Sequence, residues 1–406
     1  MLSLQPFNVF ADLDGTLYIS NSGNKNVRVV AGGIISTMRL NDSSGTPLTV
    51  KRPRSVALGP DGGLYISDGD DHRVWVARTR GFLAQAVYGF FANGGSRCYI
   101  TRLDLTRPTT GEAVDHALQQ LTTVPEISIL AAPDVWTLYP PTTDTDPSEK
   151  YKGGNLALQK IAQHCADQGT RVAVLDPPPA LSPDQAKTWH DSLTLTSQAR
   201  QYATVYYPWI TTSTLTPTPA TIPSCGHIAG VWAHTDSARG VHKAPANQAL
   251  NAVTAPERPL SDTDQGPLNQ AGVNCLRAFP GEGTVVWGAR TLSDTDDWRY
   301  LNVRRYVSFI RDSLQQATNW AVFEPNDERL WAALRRTIAA FLTDQWRTGA
   351  LQGETAADAF YVVCDDTNNT PDSIRDGVVR CDIGVAIVRP AEFVEFTLTQ
   401  IIEQPS

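Results

Sequence analysis

Apolar positions in the last third of the chain recur at helical spacing. Val303, Tyr306, Val307, Ile310, Leu314 and Ala317 step by three and four residues, which puts them on one face of a helix. A second helix is expected after Pro325, with Asn326 as its N-cap and Asp327 and Glu328 in its first turn, where carboxylates suit the helix dipole. Leu330, Leu334, Ile338, Phe341 and Leu342 form its apolar stripe, and Gly349 is its stop. Just upstream, Thr284-Val285-Val286-Trp287 is a β-branched run suited to a buried strand, broken by Gly288. Farther back, strand and helix patterns alternate. FLAQAVYGFFANGG (82–95) predicts a helix with a Gly-Gly stop, and SRCYITRL (96–103) a strand. Glu126–Leu130 predicts a strand ending before Pro133, residues 139–154 a Pro/Gly-rich loop, and Leu156–Ala166 a helix. RVAVL (171–175) and ATVYY (203–207) predict strands on either side of a helix over 183–195. That alternation argues for an α/β layer with a largely parallel sheet. Toward the end, residues 354–363 lead into one strand and 377–388 form the next. Residues 391–404 alternate, with Val394, Phe396 and Leu398 on one side and Glu395, Thr397 and Thr399 on the other, as in a half-buried strand.

The first 79 residues follow a different rule. DLDGTLYISNSGNKNVRVV (12–30) aligns without a gap on GPDGGLYISDGDDHRVWVA (59–77), so Asp14 matches Asp61 at an offset of 47 residues. Each copy predicts an Asp-Gly turn, a strand, a polar turn and a second strand. The period and the repeated LYIS core resemble NHL-type β-propeller repeats. Two blades are too few to close a propeller, which needs about four. The segment therefore packs on something else, extends a neighbouring sheet, or is incomplete. The repeat also weighs against a catalytic reading. Phe10–Leu17 resembles the first motif of haloacid-dehalogenase-type phosphatases, with Asp12 as nucleophile and Asp14 as acid/base. Its repeat mate carries Gly59 where Asp12 stands, so a recurring turn is the simpler account.

Composition narrows the class further. A chain of 406 residues with 41% hydrophobic and 19% charged residues has room for two or three globular domains. The net charge of −8 gives no reason to expect nucleic acid or an anionic membrane as partner. No run approaches the roughly 20 apolar residues of a membrane span, and the N-terminus lacks the basic n-region and small-residue cleavage site of a signal peptide. Six cysteines scattered without metal spacing read as reduced thiols. The Gly-Gly pairs at 94–95 and 153–154 lack phosphate-loop spacing. His227, His234 and His242 form no helical ligand pair, and Ser224 lies in PSCGH rather than a nucleophile elbow. The Asp-rich stretches at 262–264, 294–297 and 365–366 read as solvated turns rather than calcium loops. No cofactor, metal or catalytic constellation is expected.

Long stretches also carry a family resemblance. AVYGFFANGGSRCYI (86–100), SCGHIAGVWAHTDSARGVHKAPAN (224–247), WGARTLSDTDDWRYLNVRRYVSFIRDSL (287–314), NWAVFEPND (319–327) and GVAIVRPAEFVEFTLTQIIEQ (384–404) resemble contractile tail sheath proteins. That family includes the sheaths of contractile phages, of phage-tail-like bacteriocins and of extracellular contractile injection systems. The resemblance covers residues 81–406 in family order. It implies a multidomain α+β and α/β chain: a small all-β repeat segment (1–79), an α/β outer domain (80–290) and a C-terminal inner domain (291–406). It further implies a structural, non-enzymatic subunit that assembles in the cytoplasm as stacked sixfold rings of copies of itself. The implied partners are an inner tube protein and baseplate and terminator or cap proteins, with no nucleic acid and no direct membrane insertion. Val394, Phe396 and Leu398 would then belong to the strand that links neighbouring subunits. The segment 303–347 holds seven arginines against five acids in an acidic chain, and Arg335 and Arg336 are its candidates for contact with the tube. The family's Pro-Gly-Val-Tyr-type N-terminal arm is absent, and the two repeats stand in its place. An alternative reading makes the chain a protein- or glycan-binding accessory of the sheath, through the NHL-like repeats. A phosphatase at Asp12 and Asp14 is a distant third.

Overall fold

The computed structural model describes residues 6–11, 17–31, 34–38, 40–41, 47–58, 64–77, 81–103, 109–213 and 219–392. The chain divides into two compact units, residues 1–81 with 213–220 and residues 82–212 with 221–406.

The first unit is built from the repeat. Strands β1 (Pro6–Ala11), β2 (Leu17–Asn21), β3 (Asn26–Ala31) and β4 (Ile34–Thr37) form an antiparallel meander. A short ladder of β5 (Leu40–Asn41) and β6 (Pro47–Leu48) separates it from a second meander of β7 (Pro53–Leu58), β8 (Leu64–Asp68) and β9 (Arg73–Ala77). Strands β7 and β8 begin 47 residues after β1 and β2, and β9 47 after β3, so the structural repeat also takes in the strand ahead of each aligned segment. Even the irregularities repeat. The register shifts between Pro6 and Asn8 in the first sheet and between Pro53 and Ser55 in the second. The Asp-Gly turns at 12–16 and 59–63, and with them Asp12 and Asp14, lie outside the described residues. Val27, Val50, Val56, Leu64 and Ile66 form the core of this unit.

The second unit centres on a six-stranded sheet. Strands β10 (Ile129–Ala131), β11 (Val172–Leu175), β12 (Ala203–Tyr207) and β17 (Val273–Phe279) are parallel neighbours in that order. Strands β18 (Gly283–Trp287) and β15 (Gln248–Ala249) continue the sheet antiparallel. β11 and β12 are buried at every position, as strands covered on both faces should be, and the polar Thr204 donates to the Ala173 carbonyl at 3.0 Å. β13 (Ile210–Thr212), β14 (Ala220–Ile222) and β16 (Ala255–Pro256) form a separate three-stranded sheet. The helices of this layer are α1 (Leu83–Ala92), α2 (Thr110–Thr122), α3 (Val135–Leu138), α4 (Pro147–Lys150), α5 (Lys152–Gln168), α6 (Pro183–Ser192), α7 (Ser197–Gln201), α8 (Cys225–Arg239) and α9 (Asp262–Gln270). α1 and α8 approach closely because Gly226 and Gly230 present no side chain to the α1 backbone. After the sheet come α10 (Leu301–Ala317), α11 (Glu328–Arg347) and a hairpin-like pair, β19 (Phe360–Val363) and β20 (Asp382–Val385). Tyr306, Ile310, Leu314, Ile338 and Leu342 form the shared core of α10 and α11.

Several sequence expectations change. SRCYITRL is not a strand: residues 96–103 pair with no neighbour among the described residues, and Tyr99 and Ile100 are exposed. β-propensity makes a strand only where another strand supplies the ladder bonds. The N-cap of α11 is Asp327, not Asn326; its carboxylate accepts the N–H bonds of Arg329 (2.9 Å) and Leu330 (3.0 Å). Asn326 instead accepts from the Trp331 indole at 2.8 Å. Asp262 and Asp264 lie in the first turn of α9, capped by Ser261, rather than in a loop. The loop at 139–154 holds the one-turn α4, and α5 begins at Lys152, ahead of the expected Leu156. Ala317 is exposed and Val307 only partly buried, while Arg304 and Arg305 are buried on α10.

Candidate assembly surfaces

The seven arginines of 303–347 meet different fates. Arg304 is sandwiched between aromatic rings, its guanidinium 4.4 Å from the Tyr202 ring centroid and 4.2 Å from that of Trp298. Burial pulls its pKa down. Arg305 makes a two-pronged pair with Asp236 and lies 4.8 Å over Trp232, which ties α10 to α8. These two are fastened inside the chain, leaving no charge for a partner. Arg335 is half-buried and donates from Nη1 to the Cys364 carbonyl at 2.9 Å. Arg336 is exposed beside it on α11, as are Arg329 and Arg347. Arg335 and Arg336 are therefore neighbours in sequence with unequal freedom. The apolar stripe of α11 explains this: Leu330, Leu334, Ile338 and Leu342 are buried, position 335 flanks the stripe, and position 336 points away.

The turn between α10 and α11 carries the most exposed apolar group among the described residues. Trp320 (46%), Val322 (63%) and Phe323 (101%) are open to solvent, and Phe323 has φ +70°, in the left-handed region that a bulky residue rarely adopts. A fully exposed phenylalanine on a turn has no role in its own core. The sequence WAVFEP does not reveal this exposure, because composition does not show which apolar residues lack neighbours.

The tail leaves the described structure at an anchored point. Glu392 accepts from Arg290 Nε (2.7 Å) and Nη2 (2.6 Å) and from Asn269 Nδ2 (3.1 Å). Val394, Phe396 and Leu398 lie beyond it, outside the described residues. β19 and β20 pair only with each other among the described residues, so this two-stranded sheet has outer edges with ladder groups to offer.

Polar groups gather at the start of α8. Asp176 Oδ1 accepts from Ser224 N–H (2.9 Å), Ser224 Oγ (3.1 Å) and Cys225 N–H (3.1 Å), so the carboxylate caps the start of α8 from the end of β11. Burial lifts its pKa to about 6. His227 is buried against Gly89, its ring nitrogens have no partner among the described residues, and burial lowers its pKa to about 4. His234 is exposed, and the His242 ring lies edge-on to Tyr306 with centroids 6.0 Å apart. Among the described residues no group of three His, Cys, Asp or Glu side chains is placed to hold a metal ion. No helix there is long and apolar enough to cross a membrane.

Comparison with known proteins gives this architecture a class. Residues 155–292 match the phage tail sheath protein central domain, residues 293–401 the phage tail sheath C-terminal domain, and residues 51–77 the NHL repeat. The structure is similar to the helical sheath of the anti-feeding prophage in its contracted state (TM-score 0.64, 31% identity, covering 80% of this chain and 83% of that one). It is similar too to the PVC sheath complex of an extracellular contractile injection system in its contracted state (TM-score 0.65, 30% identity, covering 79% and 80%). Among curated relatives, the tail sheath protein of Vibrio phage KVP40 is 30% identical over 180 residues, 43% of this chain and 25% of the relative. That of Escherichia phage P2 is 27% identical over 209 residues, half of each chain. The chain belongs to the contractile tail sheath family. Its matches span a quarter to a half of the length of these curated relatives.

Proposed function

We propose that this chain is a sheath subunit that polymerises as stacked sixfold rings around an inner tube and drives the tube by contracting. The observation that carries the reading is the similarity, at 31% identity over most of both chains, to a helical sheath captured in a contracted state. In this reading residues 291–406 face the tube and residues 80–290 lie outside and repack during contraction. The energy is stored in subunit contacts, so the subunit itself needs no hydrolytic site. Rings must remain linked while subunits rotate, and strand addition suits that task because backbone ladders survive rigid-body motion. The β19–β20 pair supplies the accepting edges, and the alternating segment with Val394, Phe396 and Leu398 supplies the donated strand. Baseplate and cap proteins would bound the polymer, and assembly would take place in the cytoplasm.

Removal of residues 393–406 leaves Glu392 and its bonds to Arg290 in place. That truncation should keep the subunit folded, with an unchanged melting temperature, and abolish polymerisation as seen by electron microscopy. Full-length sheaths from the truncated chain would refute strand donation by the tail.

Arg336 is the better placed of the two tube-contact candidates, since Arg335 already serves the Cys364 carbonyl. Each exposed ionic contact is worth about 1 kcal/mol or less, but its repetition in every subunit makes the sum decisive. Arg336→Glu should lower the yield of extended, tube-filled particles at least about tenfold while leaving subunit stability within about 0.5 kcal/mol. An unchanged particle count would remove Arg336 from the tube interface.

A further inference from the structure

The two-sheet N-terminal unit exposes, at its two ends, the same pair of surfaces that it buries in its middle. In antiparallel sheets residues paired across strands share a face. The register of the first sheet puts Asn8, Ser20 and Val27 on one face and Val9, Ile19 and Arg28 on the other. In the second sheet Ser55, Ser67 and Val74 share one face and Val56, Ile66 and Trp75 the other. Within the chain, the Asn8 face of the first sheet packs on the Val56 face of the second: Val27, Val56, Leu64 and Ile66 form one cluster. Polar contacts seal this joint. Asn8 Oδ1 accepts from Val56 N–H at 3.2 Å, and Ser20 Oγ donates to the Arg54 carbonyl at 3.0 Å.

Equivalent residues at the open ends tell the complementary story. Val27 is 0% exposed, but its repeat mate Val74 is 59% exposed. Val56 is 2% exposed, but its mate Val9 is 51%. Ser67 holds the same local bond as Ser20, accepting from the N–H across the bulge at 2.9 Å in both sheets. Among the described residues, however, the Ser67 hydroxyl has no counterpart of the Arg54 carbonyl to donate to. These pairs share local conformation and differ in whether another sheet follows. The first sheet also has a fourth strand, β4, whose place in the second sheet would fall at residues 81–84, where α1 begins instead. After the second sheet the chain turns to a helix, and Val74 stays exposed.

We propose that these two surfaces dock copies of this chain head to tail, the Val74 face of one copy receiving the Val9 face of the next and repeating the joint already present within each chain. Ser67 Oγ would then donate to the Phe7 carbonyl of the neighbouring copy, as Ser20 does to that of Arg54. A contact between two different surfaces closes into a ring when its rotation divides a full turn. Propellers typically have four to eight blades, so two to four copies would close one. This inference is independent of the sheath reading, because it concerns residues 6–77 alone.

The test uses the full-length chain with its exposed native thiol removed (Cys98→Ser) and two cysteines introduced, Val9→Cys and Ser55→Cys. By repeat equivalence these positions take the places of Val56 and Asn8 in the copy-to-copy joint. Mild oxidation or a short thiol–thiol cross-linker should yield covalent species of two to four chains on a denaturing gel, absent when either introduced cysteine is present alone. Adding Val74→Glu, at a position that the isolated chain leaves exposed, should cut their yield at least about tenfold, since the joint would bury an unpaired carboxylate. The proposal is overturned if the double-cysteine chain stays monomeric under conditions in which the chain assembles. It is overturned equally if Ser55→Cys alone gives dimers, which would mean a symmetric contact, or if the cross-link runs to a different protein. Deleting residues 393–406 should leave the cross-link intact, which separates a failure here from a failure of tail-strand donation.

Discussion

Replacing Gly226 by valine should destabilise the second unit by about 3 kcal/mol, at the upper end of what overpacking costs. A Cβ at this position would lie 2.3 Å from the Ala86 carbonyl oxygen and 2.5 Å from the Ala86 Cα. Both atoms belong to the α1 backbone, so no side chain can rotate aside and the whole of α1 must move. Gly230 makes the same demand one turn on, 2.4 Å from the Phe90 carbonyl. The expected signature is a lower urea midpoint together with early proteolytic cleavage near residues 82–95, as α1 undocks from α8. Gly349→Ala is the control. Nothing lies within 4 Å of a Cβ there, and its cost of about 1 kcal/mol comes only from the left-handed backbone at φ +79°. Equal effects from the two substitutions would show that α1 and α8 are not locked by close backbone approach.

Asp176→Asn should change how stability responds to acid. The folded pKa of Asp176 is raised to about 6 from 3.8, so the native state binds this proton more tightly than the unfolded chain does. Stability from this group is therefore gained as the pH falls through about 6, reaching about 3 kcal/mol below the unfolded value. His227 works in the opposite sense. Its folded pKa is lowered to about 4 from 6.5, so its contribution is complete above 6.5 and declines by about 3 kcal/mol as the pH falls through the folded value. In the parent chain the two largely offset between pH 7 and pH 4. The asparagine variant keeps the histidine term alone and should lose stability progressively over that range. Denaturant unfolding at pH 7, 5.5 and 4 measures it: the gap between variant and parent should widen by about 2 kcal/mol by pH 4. A gap independent of pH would mean that the Asp176 carboxyl titrates alike in the folded and unfolded chain.

Much of the architecture was determined by local sequence. The β-branched and aromatic runs at 172–175 and 203–207 pointed to buried strands, and the three- and four-residue spacing of 303–314 and 330–342 to helices with one packed face. The 47-residue repeat marked the paired strands β2–β3 and β8–β9 in advance, whereas the strand ahead of each, with its bulge, became visible only in the structure. Long motifs were enough to identify the sheath family. Tertiary structure decided what local patterns leave open. An arginine beside an apolar stripe is equally consistent with solvent or core. Asp236, Trp232 and Tyr202 from distant segments, with the nearby Trp298, bury Arg304 and Arg305, whereas Arg336 stays exposed. SRCYITRL has the composition of a strand but no partner among the described residues, and a strand is a property of two segments. Val27 and Val74 occupy the same place in their repeats, yet one is sealed and the other open, because burial depends on what stacks against a residue rather than on its own sequence.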